Sequence, residues 1–211
     1  MKSLLNYTLI FLLFLSSCKK EDTREEVTAG IYDSSFTYHE SSPSLKLNLK
    51  LDLLKNRYIG ADSLDINLDG KFDLIINQRM PLESIDPKFY TIDNFPAFWI
   101  TMKNGLEVAT KIEYYILGHG QYGNVTWVDT LNYKSRIDNI SDWSDPDIGH
   151  SLWSVPPTSF WGSYGCWYNL TNAEKYIAIR IKIGSRYKYG WIKVNEISRE
   201  NMLFLSYALE K

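Results

Sequence analysis

Leucine alternates with polar residues from Leu45 to Leu53: Leu45, Leu47, Leu49, Leu51 and Leu53 are separated by Lys46, Asn48, Lys50 and Asp52. A period of two puts one row of side chains toward a core and the other toward water, as a half-buried strand requires. A helix would scatter these leucines around its whole surface. Near the other end, Ile177, Ile179, Ile181 and Ile183 alternate with Ala178, Arg180 and Lys182. Gly184-Ser185-Arg186 then supplies a turn, and Tyr187 to Val194 returns as the second arm of an antiparallel hairpin. Leu203, Leu205, Tyr207 and Leu209 mark a closing strand. Pro81, Pro87, Pro96, Gly105, Gly118, Gly120, Pro146 and Pro156-Pro157 punctuate the middle. The stretch 105–117 satisfies neither period and is assigned to a strand. The tract 138–170 is expected to be an aromatic-rich loop region with short strands. Many short strands between regular turns, with no long amphipathic window, predict an all-β fold. The expected architecture is an antiparallel β-sandwich, jelly-roll-like.

The first residues do not belong to that domain. Met1-Lys2 is followed by Leu4-Leu5 and the run Leu9 to Leu15. Spanning a bilayer takes about 20 apolar residues, so this run has the length and order of a signal-peptide core. Leu15-Ser16-Ser17-Cys18 resembles the lipobox of bacterial lipoproteins. The resemblance implies that Cys18 becomes the mature N-terminus and carries diacylglycerol plus further acyl chains such as palmitate. One acyl chain holds a protein only reversibly, whereas several anchor it stably. Lys19 to Glu26 is charged and of mixed sign, which suits a solvated tether. Lys20-Glu21-Asp22 resembles the Lys-plus-acidic signal that sends some lipoproteins to the outer face, although a plain solvated linker explains it equally well. The expected organisation is a signal peptide over 1–17, a lipidated N-terminus and tether over 18–27, and one sandwich domain over 28–211. The expected location is the cell outer membrane, lipid-anchored.

With 23 Lys+Arg against 25 Asp+Glu, the chain lacks the basic excess that nucleic-acid partners require. Its 15 Tyr and 7 Trp suit half-buried strands, and they also suit carbohydrate or peptide surfaces. Beyond Cys18 there is one other cysteine, Cys166, expected to be a small buried hydrophobe.

One segment carries metal chemistry. Residues 65–73 read Asp-Ile-Asn-Leu-Asp-Gly-Lys-Phe-Asp. Calcium takes six to eight oxygens, and alternate positions of a tight loop can aim them at one point. Asp65, Asn67 and Asp69 would offer side chains, Lys71 its main-chain carbonyl, and Asp73 a direct or water-mediated contact. Gly70 would permit the sharp turn. The twelfth position, where an EF-hand needs a bidentate Glu, is Ile76. The loop therefore looks like the calcium loops between strands in integrin-type FG-GAP repeats and related exported bacterial proteins. The missing ligand would come from Asp62 or water. An Asp-Gly hairpin turn without metal accounts for the same letters. The ion's expected role is structural. A second acidic tract, Asp138, Asp142, Asp145 and Asp147, reads as a run of Asx-turns or a second ion site.

Tyr176 to Ile181, Tyr189-Gly190-Trp191-Ile192-Lys193-Val194 and Tyr207-Ala208-Leu209-Glu210 together resemble the C-terminal pattern of a group of secreted bacterial β-sandwich proteins. Members of that group also carry a D-x-N-x-D-G-x-x-D loop near the start. In this chain Ala178 stands where the group has Gly, and Ile181 where it has Phe. The resemblance implies an extracellular sandwich and no particular chemistry.

His39, His119 and His150 are far apart, and no HExxH, GxSxG or P-loop motif occurs. The leading expectation is a non-catalytic envelope lipoprotein with a structural or adhesive role. A surface glycan-binding module is the alternative, with Trp143, Trp153, Trp161 and Trp167 as stacking surfaces. A glycoside hydrolase or lyase is a second alternative, since paired carboxylates meet in space rather than in sequence. Expected partners are the membrane through the lipid, then glycans or envelope proteins.

Overall fold

The computed structural model describes residues 26–82, 96–117, 121–139, 141–144, 149–154, 167, 173–195 and 203–211; at 42–44, 46, 114–117, 121–124, 153 and 154 it describes the main chain only. Cys18 and Cys166 lie outside these residues, as do His119, Asp145, Asp147 and Trp161.

The strands are β1 (Glu26–Thr28), β2 (Phe36–Lys46), β3 (Lys50–Asp52), β4 (Arg57–Leu64), β5 (Leu74–Pro81), β6 (Ala97–Met102) and β7 (Leu106–Val108). They continue as β8 (Thr110–Leu117), β9 (Gln121–Val128), β10 (Arg136–Asp138), β11 (Gly149–Ser154), β12 (Lys175–Ile183), β13 (Arg186–Asn195) and β14 (Leu203–Glu210). Among the described residues there is no helix, so the all-β expectation holds. A seven-stranded sheet runs β3-β4-β5-β6-β11-β9-β8, and a five-stranded sheet runs β2-β14-β13-β12-β7. Pairing is antiparallel except where β11 meets β9 in parallel at Ser151 and Trp127.

The two sheets face each other across one core. Leu74, Ile76, Phe98, Ile100 and Leu152 from the larger sheet join Ile177, Ile179, Ile192, Val194 and Leu209 from the smaller in a single buried cluster. Each such side chain, fully buried, stabilises by about 1.5–3 kcal/mol. The alternate residues of the smaller sheet are buried too. Tyr176, Ala178, Tyr189, Trp191 and Ala208 pack under a third layer, the two-stranded β1–β10 ribbon with Val27, Ala29 and Ile137. A sheet covered on both faces loses the clean apolar-in, polar-out alternation. Gly190 is required by close approach: a Cβ there would lie 2.1 Å from the Ala208 carbonyl oxygen.

Three sequence expectations change in detail. The leucines from 45 to 53 do not form one strand, because β2 ends at Lys46 and β3, in the opposite sheet, starts at Lys50. Leu47 enters the core, whereas Leu51 and Leu53 are exposed. The stretch 105–117 is two strands in different sheets, β7 and β8, with the switch at Ala109. Each sheet imposes its own inward direction, so no single period fits. In β14 the register against β13 shifts, because Val194 pairs with Phe204 and Lys193 with Ser206, which leaves Leu205 as an extra residue. The extra residue inverts the alternation, which puts Phe204 in the core with Tyr207 and Leu209.

Candidate functional site

Leu64 and Leu74 are paired neighbours of β4 and β5, so residues 65–73 form the closed loop of a hairpin. The loop is rooted in the core by Ile66, which is buried, and by the Asp73 N–H, which donates to Leu64 O at 2.9 Å. Its polar side chains turn inward onto its own amides. Asp65 accepts the Asp69 N–H at 3.2 Å and the Gly70 N–H at 2.8 Å, one on each carboxylate oxygen. Asn67 Oδ1 accepts the Asp69 N–H at 2.9 Å, and Asp69 Oδ1 accepts the Lys71 N–H at 2.9 Å. Asp73 Oδ2 reaches back to the Ile66 and Asn67 amides at 3.0 and 3.2 Å. Leu68 and Gly70 make the turn possible with φ of 60° and 87°. A left-handed Leu costs about 1–2 kcal/mol, which this many side-chain-to-amide bonds offset.

Two braces come from outside the loop. From the β6–β7 turn, Asn104 Nδ2 donates to Phe72 O at 3.0 Å and Asp73 Oδ1 at 3.3 Å, while the Lys103 N–H donates to Asp73 O at 2.8 Å. From the opposite sheet, the Tyr207 hydroxyl donates to Asp65 O at 2.8 Å. Burial pushes the Tyr207 hydroxyl pKa up to about 12, and the Asp65 and Asp73 charges push the same way. Asp73 is fully buried. Burial raises its carboxyl pKa against the pull of its N–H donors, and the Asp69 charge adds to the rise.

The expected metal-ligating residues Asp65, Asn67, Asp69, Lys71 and Asp73 therefore share one closed loop. Asp62, the candidate extra ligand, lies on β4 opposite Ile76, with its Oδ1 taken by the Ser63 N–H at 2.7 Å. Among the described residues, no three His, Cys, Asp or Glu side chains form a group placed to hold a metal. A cation at this loop would have to draw on the Asn67 amide and main-chain carbonyls as well. The second acidic tract divides: Asp138 pairs with Arg136 at 2.7 Å, and the Asp142 carbonyl accepts the Thr110 N–H at 2.7 Å.

Of the four glycan-candidate tryptophans, Trp143 and Trp167 have described side chains, and neither stands free as a stacking surface. Trp167 is 0% exposed, and its indole N–H donates to Val128 O at 2.9 Å, which makes it a core side chain. Trp143 is half-buried; its indole N–H donates to Asp138 O at 3.1 Å, and its ring lies 4.5 Å from the Arg180 guanidinium. Arg180 is held between that ring and Tyr187 and is paired with Glu107, its partner across β12 and β7. Trp153 is on β11, and its side chain is not described. Of the histidines, His39 stacks on Tyr207 at 5.1 Å, and His150 sits in β11 opposite Ile100.

Asn104 and Tyr207 were not legible as parts of the loop. Asn104-Gly105 is a readable turn pair, but nothing near Tyr207 in sequence points to Asp65, 142 positions away.

Fold and loop define a class: a β-sandwich that carries an acidic, internally bonded hairpin loop braced by both sheets. No family model, curated protein or solved structure was found to match the chain.

Proposed function

We propose that this protein is a non-catalytic, lipid-anchored component of a bacterial cell envelope, in which calcium locks the 65–73 loop. The observation that carries the metal reading is the inward turn of Asp65, Asn67, Asp69 and Asp73 within one hairpin loop. Burial, with a smaller push from the Asp69 charge, raises the Asp73 pKa and so disfavours its ionised form. A divalent cation would favour the ionised carboxylate, and hard oxygen donors suit calcium. Asp65, Asn67 and Asp69 would hold the ion with their side chains, Lys71 through its carbonyl, and Asp73 directly or through water. The ion would then tie β4 and β5 to Asn104 and Tyr207, a structural role. The envelope reading is supported by the leader-like 1–17 segment and the lipobox-like Leu15 to Cys18. The glycan-binding alternative loses one of its four surfaces with Trp167.

The test is thermal unfolding with calcium and with EGTA. Calcium at 100 times its Kd should stabilise by about 2.7 kcal/mol, and Asp65→Ala with Asp69→Ala should abolish the response. A wild-type melting temperature that ignores calcium would discard the metal.

A further inference from the structure

We propose that the tip of the β3–β4 hairpin, Leu53-Leu54, seats in the boundary between headgroups and acyl chains of an anionic lipid surface. Leu54 is 97% exposed and Leu53 is 74% exposed, the two highest values among the large apolar side chains described. The tip is a short turn, closed by the Lys55 N–H donating to Asp52 O at 3.4 Å, with Asn56 at φ 49°. Nothing in that turn needs leucine. A polar turn would close the same hairpin and keep about two large apolar side chains out of water, so their presence points to an apolar partner.

Charge selects the partner. Lys46, Lys50, Lys55 and Arg57 surround the tip in sequence against a single acid, Asp52, which pairs with Arg57 at 3.2 Å. An apolar tip flanked in sequence by an excess of basic residues fits a surface that is oily below and anionic at its headgroups. Leu68 and Phe72, at the far end of β4, are exposed as well, but they share their loop with Asp65 and Asp69, which an anionic surface repels. A second copy of the chain is the weaker occupant. The edge strand β3 has three residues, one of them Lys50, which offers little main chain for pairing. For the anchored protein proposed above, the tip is a second contact that orients the domain; its own affinity does not depend on Cys18.

The experiment is hydrogen–deuterium exchange of the whole protein, followed at the amides of residues 53–56. It compares vesicles of phosphatidylcholine with phosphatidylglycerol, vesicles of phosphatidylcholine alone, and no vesicles. Exchange at the tip should slow roughly tenfold on the anionic vesicles, less on the neutral ones, and not at all in a Leu53→Ser, Leu54→Ser variant of unchanged melting temperature. Tip amides that exchange alike with and without anionic vesicles overturn the proposal, even if the protein sediments with membranes through its N-terminus. Slowing that needs no lipid and grows with protein concentration also overturns it and assigns the tip to a contact between copies.

Discussion

The two ends of β4 close their hairpins in opposite ways. At 65–73 nearly every polar side chain is spent on an amide of the same loop, and both sheets add a brace. At 53–56 the turn is closed by the Lys55 N–H on Asp52 O and flanked by the Arg57–Asp52 ion pair, and two leucines stand in water. The first end is built to hold one conformation, and its removal should be felt throughout the sandwich. The second spends few bonds on its own closure and presents the two most exposed of the large apolar side chains described. The contrast separates residues whose work is inside the molecule from residues whose work is outside it.

The strongest way to break this contrast is Asp73→Ala. It leaves the Ile66 and Asn67 amides without an acceptor inside the loop, one of them on a buried residue. Loss of about 2–4 kcal/mol is expected, a fall in melting temperature of roughly 5–15 °C, read by circular dichroism without calcium. Tyr207→Phe should cost about 1 kcal/mol, because one hydrogen bond goes and the ring stays packed. The same residue gives the pH dependence. The Tyr207, Tyr176 and Tyr189 hydroxyls all have pKa values raised by burial. The folded state therefore holds these protons where the unfolded chain has lost them. Stability should be unaffected by these groups at neutral pH and fall as the pH rises past about 10, the ordinary tyrosine value. In urea titrations at stepped pH, Tyr207→Phe should flatten that fall. The smallest effect belongs to the other end: Leu53→Ser with Leu54→Ser should change unfolding free energy by less than about 0.5 kcal/mol. A larger loss would mean that the tip is part of the core after all.

How much of this was legible in the sequence depended on how many sheets a segment serves. The β12–β13 hairpin was readable because Ile177, Ile179 and Ile181 stay in one sheet and face one core. The alternation of Leu45 to Leu53 misled because it runs unbroken through a change of sheet; the period survives while the inward direction does not. At Ala109 the same kind of switch erased the period altogether. The β1–β10 ribbon was invisible, since three-residue strands are too short to show a repeat. It also explains why Tyr176, Ala178 and Trp191 are buried on the face that alternation alone assigns to water. The 65–73 loop was legible as a loop because Asp, Asn and Gly in that spacing bond their own backbone. Its braces were not, because Asn104 and Tyr207 meet it only once the sandwich has formed.

The inward-turned oxygens of 65–73 are proposed above as a cation site. Isothermal calorimetry of calcium into the metal-stripped protein counts the ions that it takes up. One ion per chain is expected for the wild type and none for Asp65→Ala with Asp69→Ala. Heats equal to buffer dilution in the wild type, or binding that survives in the double variant, would rule the site out.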